Sequence, residues 1–146
     1  IGRAECYRKM KKYTAAMADL GMVLDKNPDC AQALSLRGLI QGMRGEVASG
    51  IDDLERAAKL TERQDAQVLR RLGESYRMTG RTGEARIAFE QALEIEPSSI
   101  FTQGRLADVF CSLGALNLAE GFIKAVLDVC KSDPFVTKTQ RKLWIA

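Results

Sequence analysis

The sequence predicts an all-α solenoid, a row of antiparallel helix pairs, and three observations carry that prediction. First, small residues recur at Ala4, Gly38, Gly73 and Ala107, spaced 34, 35 and 34 residues apart. Second, further columns run at fixed offsets from them. Twelve residues on stand Ala16, Gly50, Ala85 and Ala119; four later come the large apolar Leu20, Leu54, Phe89 and Ile123; three later again Val23, Ala57, Ala92 and Val126. Third, apolar and small residues inside each unit fall three and four apart, which is one face of a helix. Residues 66–99 show this most clearly, at Leu69, Leu72, Gly73, Tyr76, Ala85, Phe89 and Ala92. Self-similarity at a period of this size marks a stack of repeats. Two antiparallel helices approach closely only where one of them presents no bulk, so small residues face small residues and large ones fill the space beside them.

The elements follow in order. The columns predict helices over 1–11 and 13–26, 30–44 and 47–60, 66–79 and 82–95, and 100–113 and 116–131. Gly45, Gly80 and Gly114 stand where the first helix of a pair needs a left-handed residue to stop, and Lys11 takes that place in the first unit. Pro28 and Pro97 end second helices, because proline cannot continue the hydrogen-bond ladder. Glu62 and Lys131 stand at the equivalent place in the other two units. An aromatic column at Tyr7, Tyr76 and Phe110 is interrupted by Gln41. One extra residue falls in the stretch TERQD after Leu60, and the expectation is a slightly altered angle between two repeats in an unbroken stack.

The tail, 134–146, is expected to form an end helix that covers the last unit, as the ends of solenoids require. Ser132 or Asp133 would cap it, with Pro134 in its first turn, where proline is tolerated. Phe135, Val136, Thr139 and Leu143 share a face; Arg141 falls where a fifth repeat would need a small residue. Trp144 would anchor the helix or point to further sequence.

Composition bounds the function. A chain of 146 residues with 46% apolar content is one domain with a core. No apolar run approaches the ~18 residues of a membrane span, and no basic-then-apolar signal segment opens the chain. The formal charge of +3 is spread along the chain: residues 1–30 hold six basic and four acidic side chains, 31–65 five and six, 66–99 five and five. No clustered basic excess speaks for nucleic acid. There is no histidine, and Cys6, Cys30, Cys111 and Cys130 lie far apart, so neither a zinc site nor a cofactor is expected. The thiols read as reduced and mostly packed between helices, in a reducing compartment such as the cytoplasm; an organelle or ciliary assembly is equally compatible. Without histidine there is no His-based triad, and the GRTG at Gly80 to Gly83 is an inter-helix turn without Walker spacing. Asp52–Asp53 and Glu94–Glu96 read as solvated helix faces, so no enzyme activity is expected.

This pattern resembles the tetratricopeptide repeat, with its 34-residue period and small residues at the eighth, twentieth and twenty-seventh positions, closed by proline at the thirty-second. The resemblance covers residues 1 to about 133, and residues 66–99 match every one of those positions. It implies a single repeat domain over 1–146, with units of about 1–30, 31–65, 66–99 and 100–133 and the end helix 134–146. In that phase the first helix lacks about four residues, so the chain is expected to be a piece of a longer protein.

The resemblance also implies that first helices line an inner groove. Its groove-facing positions fall on Glu5, Arg8 and Lys9, then on Gln32, Ser35, Leu36, Leu39 and Met43. The third unit gives Gln67, Arg70, Arg71, Glu74, Arg77 and Met78; the fourth gives Phe101, Arg105, Asp108 and Ser112. The candidate binding residues are Leu39, Met43, Arg70, Arg71, Glu74, Arg77, Met78, Phe101, Arg105 and Asp108. They form an arginine-rich centre beside an apolar strip of Leu36, Leu39, Met43 and Met78. Arginine forks bind carboxylates in pairs of hydrogen bonds, so an acidic, partly apolar segment or a free C-terminal carboxylate would suit them. The opposing reading pairs the arginines with Glu74 and Asp108, through Arg70–Glu74 and Arg105–Asp108, as helix support worth tenths of a kcal/mol. Arg3, Arg37, Arg71 and Arg105 recur every 34 residues, but the repeat phase shifts by one after residue 60. The last two therefore face about 100° away from the first two and form no single stripe.

The expected work is protein–protein recognition, in the groove or by packing into a multi-subunit assembly. One alternative is a co-chaperone adaptor for the carboxylate ends of heat-shock chaperones. The resemblance implies lysine and asparagine at most of the clamp positions, where this chain offers Ile1, Glu5, Leu36, Gln67 and Arg71 in one frame. The next frame offers Ser35, Leu39, Arg71, Phe101 and Arg105. Only the final arginine matches in either. An inert spacer is the other alternative.

Overall fold

The computed structural model describes residues 1–132, with side chains to residue 129. Among them are eight helices: α1 (Gly2–Lys9), α2 (Tyr13–Lys26), α3 (Ala31–Met43), α4 (Val47–Leu60), α5 (Ala66–Met78), α6 (Thr82–Ile95), α7 (Ile100–Ser112) and α8 (Leu116–Ser132). No strand occurs among the described residues. Each end lies within two residues of its expected place. The end helix expected over 134–146 lies outside the described residues. Each odd-numbered helix packs on the even one after it, each even one on the next odd one, and α3 also touches α5. The architecture is an all-α solenoid.

The repeated columns are its core. Ala4, Ala16, Leu20, Leu54, Ala57, Ala85, Phe89 and Ala92 are fully buried. Ile123 departs from its column and is 38% exposed. In the second pair both small positions are glycine, and the backbones nearly touch. A Cβ on Gly38 would lie 2.7 Å from the Gly50 carbonyl oxygen and 2.7 Å from Leu54 Cγ; one on Gly50 would lie 2.6 Å from the Gly38 carbonyl oxygen. Gly50, where the other units carry alanine, is thus the matching half of a close approach.

The first helices of all four pairs end alike. The amide of the third residue past the helix donates back five residues: Lys12 to Tyr7, Glu46 to Gln41, Arg81 to Tyr76 and Ala115 to Phe110, at 2.8–2.9 Å. The residue before each is left-handed: Lys11 (φ 58), Gly45 (φ 86), Gly80 (φ 76) and Gly114 (φ 75). This is a Schellman stop. Helix α4 lacks the proline that follows α2 and α6, and it stops in the same way. The Arg63 amide donates to the Ala58 carbonyl at 2.8 Å, and Glu62 (φ 52) and Arg63 (φ 55) are both left-handed. The extra residue of this loop serves that stop. Asp65 then caps α5, accepting from the amides of Gln67 (2.9 Å) and Val68 (3.3 Å). The junction is further tied by the Tyr76 hydroxyl, which donates to Glu55 of α4, with Arg81 lying 4.5 Å over the Tyr76 ring. Burial and the Glu55 carboxylate push the Tyr76 phenol well above its ordinary pKa, so it remains a donor.

Two pairs are also bridged by ions. Arg3 donates to Asp19 through Nε (2.8 Å) and Nη2 (2.7 Å), and Arg37 to Asp53 through Nε (2.5 Å) and Nη2 (2.8 Å). With its amide turned to donate, Gln41 reaches Asp53 Oδ2 at 3.0 Å and the Ser49 carbonyl at 3.3 Å. The residue that interrupts the aromatic column thus joins the Arg37–Asp53 bridge. At the positions of Arg37 and Asp53 the third unit carries Leu72 and Ala88, both buried.

Gly50→Ala should lower stability by about 1–3 kcal/mol through overpacking. Gly21→Ala, where an added Cβ meets nothing within 4 Å, should raise it by about 0.5–1 kcal/mol. Urea unfolding followed by circular dichroism checks both. Asp53→Ala should cost about 1–2 kcal/mol by leaving Arg37 unpaired, whereas Arg37→Leu with Asp53→Ala should stay within about 1 kcal/mol of the parent. The same unfolding assay decides this.

Candidate functional site

The first helices carry two working faces. In α5 the buried Leu69, Leu72, Gly73 and Tyr76 face the core. Gln67, Arg71, Glu74 and Met78, also three and four apart, line a groove with Arg70 and Ser75. Leu39, Gly42 and Met43 of α3 and Phe101 of α7 complete the lining, around a volume of about 460 Å3. Every lining residue comes from a first helix. Met43 is 48% exposed, Met78 56% and Phe101 46%. A second hollow of about 240 Å3 adjoins it, lined by Glu5, Gln32, Ser35, Leu36 and Asp65 among others, and the two share Gln67 and Arg71. The groove therefore has an apolar half and a polar half, with Arg71 between them.

Most of its charge is already neutralised. Arg70 pairs with Glu96 just past the end of α6. Arg77 Nη2 donates to Glu74 Oε1 at 2.7 Å. Arg105 has Nε 3.2 Å from Glu74 Oε2 and Nη1 3.3 Å from Asp108, and its guanidinium lies 5.1 Å from the Phe101 ring centre. Arg71 differs. Its Nη1 donates to the Ser35 hydroxyl at 2.8 Å, and among the described residues no carboxylate lies within ion-pair distance of it. It is half-buried, and that burial lowers its pKa from the ordinary arginine value, with the Glu5 charge acting in the opposite direction. Glu5 is itself engaged by Arg8, whose hydrogen bonds hold its carboxyl below the ordinary value.

The structure brings Leu39, Met43, Arg70, Arg71, Glu74, Met78 and Phe101 around one groove. Arg77, Arg105 and Asp108 lie beside it and are linked to it through Glu74 and Arg105. Leu36 leaves the expected apolar strip: it is buried, 3% exposed, because it turns into the core. The expected Arg70–Glu74 pair is replaced by Arg70–Glu96, and Glu74 is taken by Arg77 and Arg105 instead. Cys6 and Cys111 are exposed, contrary to their expected packing between helices. Gly42, Ser75 and Glu96 were not among the candidates. Glu96 lies 26 residues from its partner, beyond any helical spacing that would pair them in sequence. Arg3 and Arg37 bridge to second helices while Arg71 and Arg105 face the groove side, so the 34-residue arginine ladder is two different features. Among the described residues no group of three or more His, Cys, Asp or Glu could hold a metal ion, and no helix is long and apolar enough to cross a membrane.

Comparison with known proteins agrees with this architecture. Two models described as tetratricopeptide repeat match residues 2–65 and 66–99. The chain is 30% identical over 89 residues to the small glutamine-rich tetratricopeptide repeat-containing protein 2 of Mycosarcoma maydis; the match covers 61% of this chain and a quarter, 25%, of that protein. Among solved structures, a crystal structure of MamA superposes with a TM-score of 0.81 at 22% identity, covering 88% of this chain and 75% of that one. A MamA chain from Desulfovibrio magneticus RS-1 gives 0.82 at 17%, covering 90% and 73%. The first repeat domain of Spaghetti (RPAP3), bound to the HSP90 peptide SRMEEVD, gives 0.74 at 21%, covering 77% and 89%. At these identities the structural likeness is one of fold. A groove made by first helices and two matched models that together span residues 2–99 describe a protein-interaction scaffold: the chain belongs to the tetratricopeptide repeat family.

Proposed function

We propose that this scaffold holds a segment of a partner protein in the groove between α3, α5 and α7. The observation that carries the reading is the cluster of Met43, Met78 and Phe101, each about half exposed around one groove of about 460 Å3. Apolar side chains gathered in a concavity mark a binding surface, whereas scattered ones do not. Methionine adapts its shape to different apolar partners, which suits a recognition groove.

Two other readings have less support. A co-chaperone role takes its prior from the Spaghetti domain and its HSP90 peptide. Against it, the clamp positions hold Glu5 and Leu36, and Arg105 is occupied by Glu74 and Asp108. Packing into a larger assembly is favoured by Leu113, Leu116 and Leu118, 47–60% exposed and outside the groove lining. The exposed thiols of Cys6 and Cys111 fit a reducing compartment such as the cytoplasm.

The test is a pull-down from cell extract with the parent chain beside a Met43→Glu/Met78→Glu double variant. These side chains are exposed, so the variant should keep its helical circular dichroism. Proteins held by the parent should fall about tenfold or more on the variant, as for the loss of central apolar anchors. Equal capture by both forms would move recognition off the groove, and capture by neither would favour a spacer.

A further inference from the structure

We propose that two copies of this chain associate edge to edge about a two-fold axis, through the edge that carries the turns between first and second helices. The leucine turn after α7 of each copy then covers the lysine turn after α1 of the other. These turns lie outside the groove lining, so the inference stands apart from the groove reading.

The surface follows from a comparison of the four turns. All four first helices stop by one hydrogen-bond pattern and turn back onto their partners, so the turns lie in a row along one edge. Just past each first helix stand Met10, Arg44, Thr79 and Leu113. Each second helix opens with Tyr13, Val47, Thr82 or Leu116, and two residues on stand Ala15, Ser49, Glu84 and Leu118. Only the fourth turn has leucine at all three places, and each of these leucines is about half exposed. In the first turn Met10 is 60% exposed. Apolar side chains gathered on a surface in this way mark an interaction site.

The occupant follows from charge. The equivalent stretches around the four turns, 3–20, 37–54, 72–89 and 106–123, have net charges of +3, −1, +1 and −2. Reversing the row sets +3 on −2 and −1 on +1. The edge is therefore complementary to itself when two copies run antiparallel, which is the arrangement a two-fold axis across the middle of the row produces. The charges at its ends are open. Arg3–Asp19 and Arg8–Glu5 leave Lys9, Lys11 and Lys12 without a carboxylate among the described residues. Around the fourth turn Asp108 has Arg105, while Glu120, one helical turn after Leu116, has no cation partner among the described residues. The middle turns hold the internal pairs Arg44–Glu46 and Arg81–Glu84 and can meet without excess charge. Four turns spaced by about 10 Å and two helices deep give an edge of about 800 Å2, the size of one side of a stable interface. An anionic bilayer fits less well, because it needs lysines and leucines together, and here they stand at opposite ends with Glu120 beside the leucines.

Sedimentation equilibrium of the whole chain, in reducing buffer because Cys6 and Cys111 are exposed, tests the proposal. The parent should form a dimer that weakens between about 50 and about 500 mM salt. Leu116→Glu/Leu118→Glu should raise the dissociation constant about tenfold or more. Two charge variants then read the pairing. Lys9→Glu/Lys12→Glu makes both ends of the edge acidic, and Glu120→Lys makes both ends basic. Each alone should dimerise less than the parent, and their mixture should restore the dimer, because every end contact in the mixed pair joins opposite charges. Circular dichroism checks that the variants are folded, and restoration in the mixture itself requires both to be. A parent that stays monomeric at every concentration would overturn the proposal, whether or not it binds anionic vesicles. So would a dimer unaffected by the folded leucine variant, assemblies that keep growing with concentration, or a mixture that associates no better than its components. Lys9→Glu/Lys12→Glu that dimerises more tightly than the parent would place like turns together and overturn the antiparallel arrangement. The groove variant Met43→Glu/Met78→Glu should dimerise as the parent does, so the two readings fail separately.

Discussion

The near-contact of the α3 and α4 backbones at Gly38 and Gly50 is the constraint from which the rest of the array follows. Each peptide oxygen lies where the other residue's Cβ would be, so no side chain larger than hydrogen fits at either position. Around that point Leu54 fills the remaining space without exposure. The other pairs use the same device with slightly more room: alanine faces alanine at Ala4 and Ala16, and Gly73 admits the Phe89 ring. Thin pairs let successive first helices come side by side, as α3 and α5 do, and only then can Ser35 meet Arg71 or Met43 stand beside Met78.

Once that spacing is set, polar contacts differentiate units that share one backbone plan. The first two pairs are pinned by Arg3–Asp19 and Arg37–Asp53, while the third buries Leu72 and Ala88 at the same positions. The four first helices stop by one hydrogen-bond pattern, whether glycine or Lys11 takes the left-handed place. The α4–α5 connection uses that pattern too and needs one residue more, with Tyr76, Glu55 and Arg81 tying its flanks together. In and beside the groove, carboxylates from α5, α7 and the end of α6 meet three arginines and leave Arg71 to a hydroxyl. A group that reads as arginine-rich in sequence is thereby mostly paired, with Arg71 beside the apolar patch meeting a hydroxyl instead of a carboxylate among the described residues.

Much of the fold was legible because its information is periodic. Small residues 34 and 35 apart, glycines after first helices and prolines after two second helices each have a local physical meaning. The candidate site was legible only as far as that period carried it. Leu39, Met43, Arg71 and Met78 follow from repeat phase, and they do line the groove. Leu36 shares that phase and is buried, because its surroundings depend on how neighbouring helices cross it. Arg70 has Glu74 at favourable helical spacing, yet it meets Glu96, which packing of α6 beside α5 brings closer.

The all-α architecture, the helix ends and most of the columns that fill the core are written in the residue pattern, since propensity, capping and hydrophobic period act over a few residues or repeat faithfully. Which charges cancel and which stays open is set once the helices pack. Those outcomes depend on contacts between residues as far apart as Ser35 and Arg71, or Arg70 and Glu96, whose distances no local pattern encodes. Electrostatic pairing falls steeply with separation and with access to water, so a crossing angle or one turn of a helix chooses the partner.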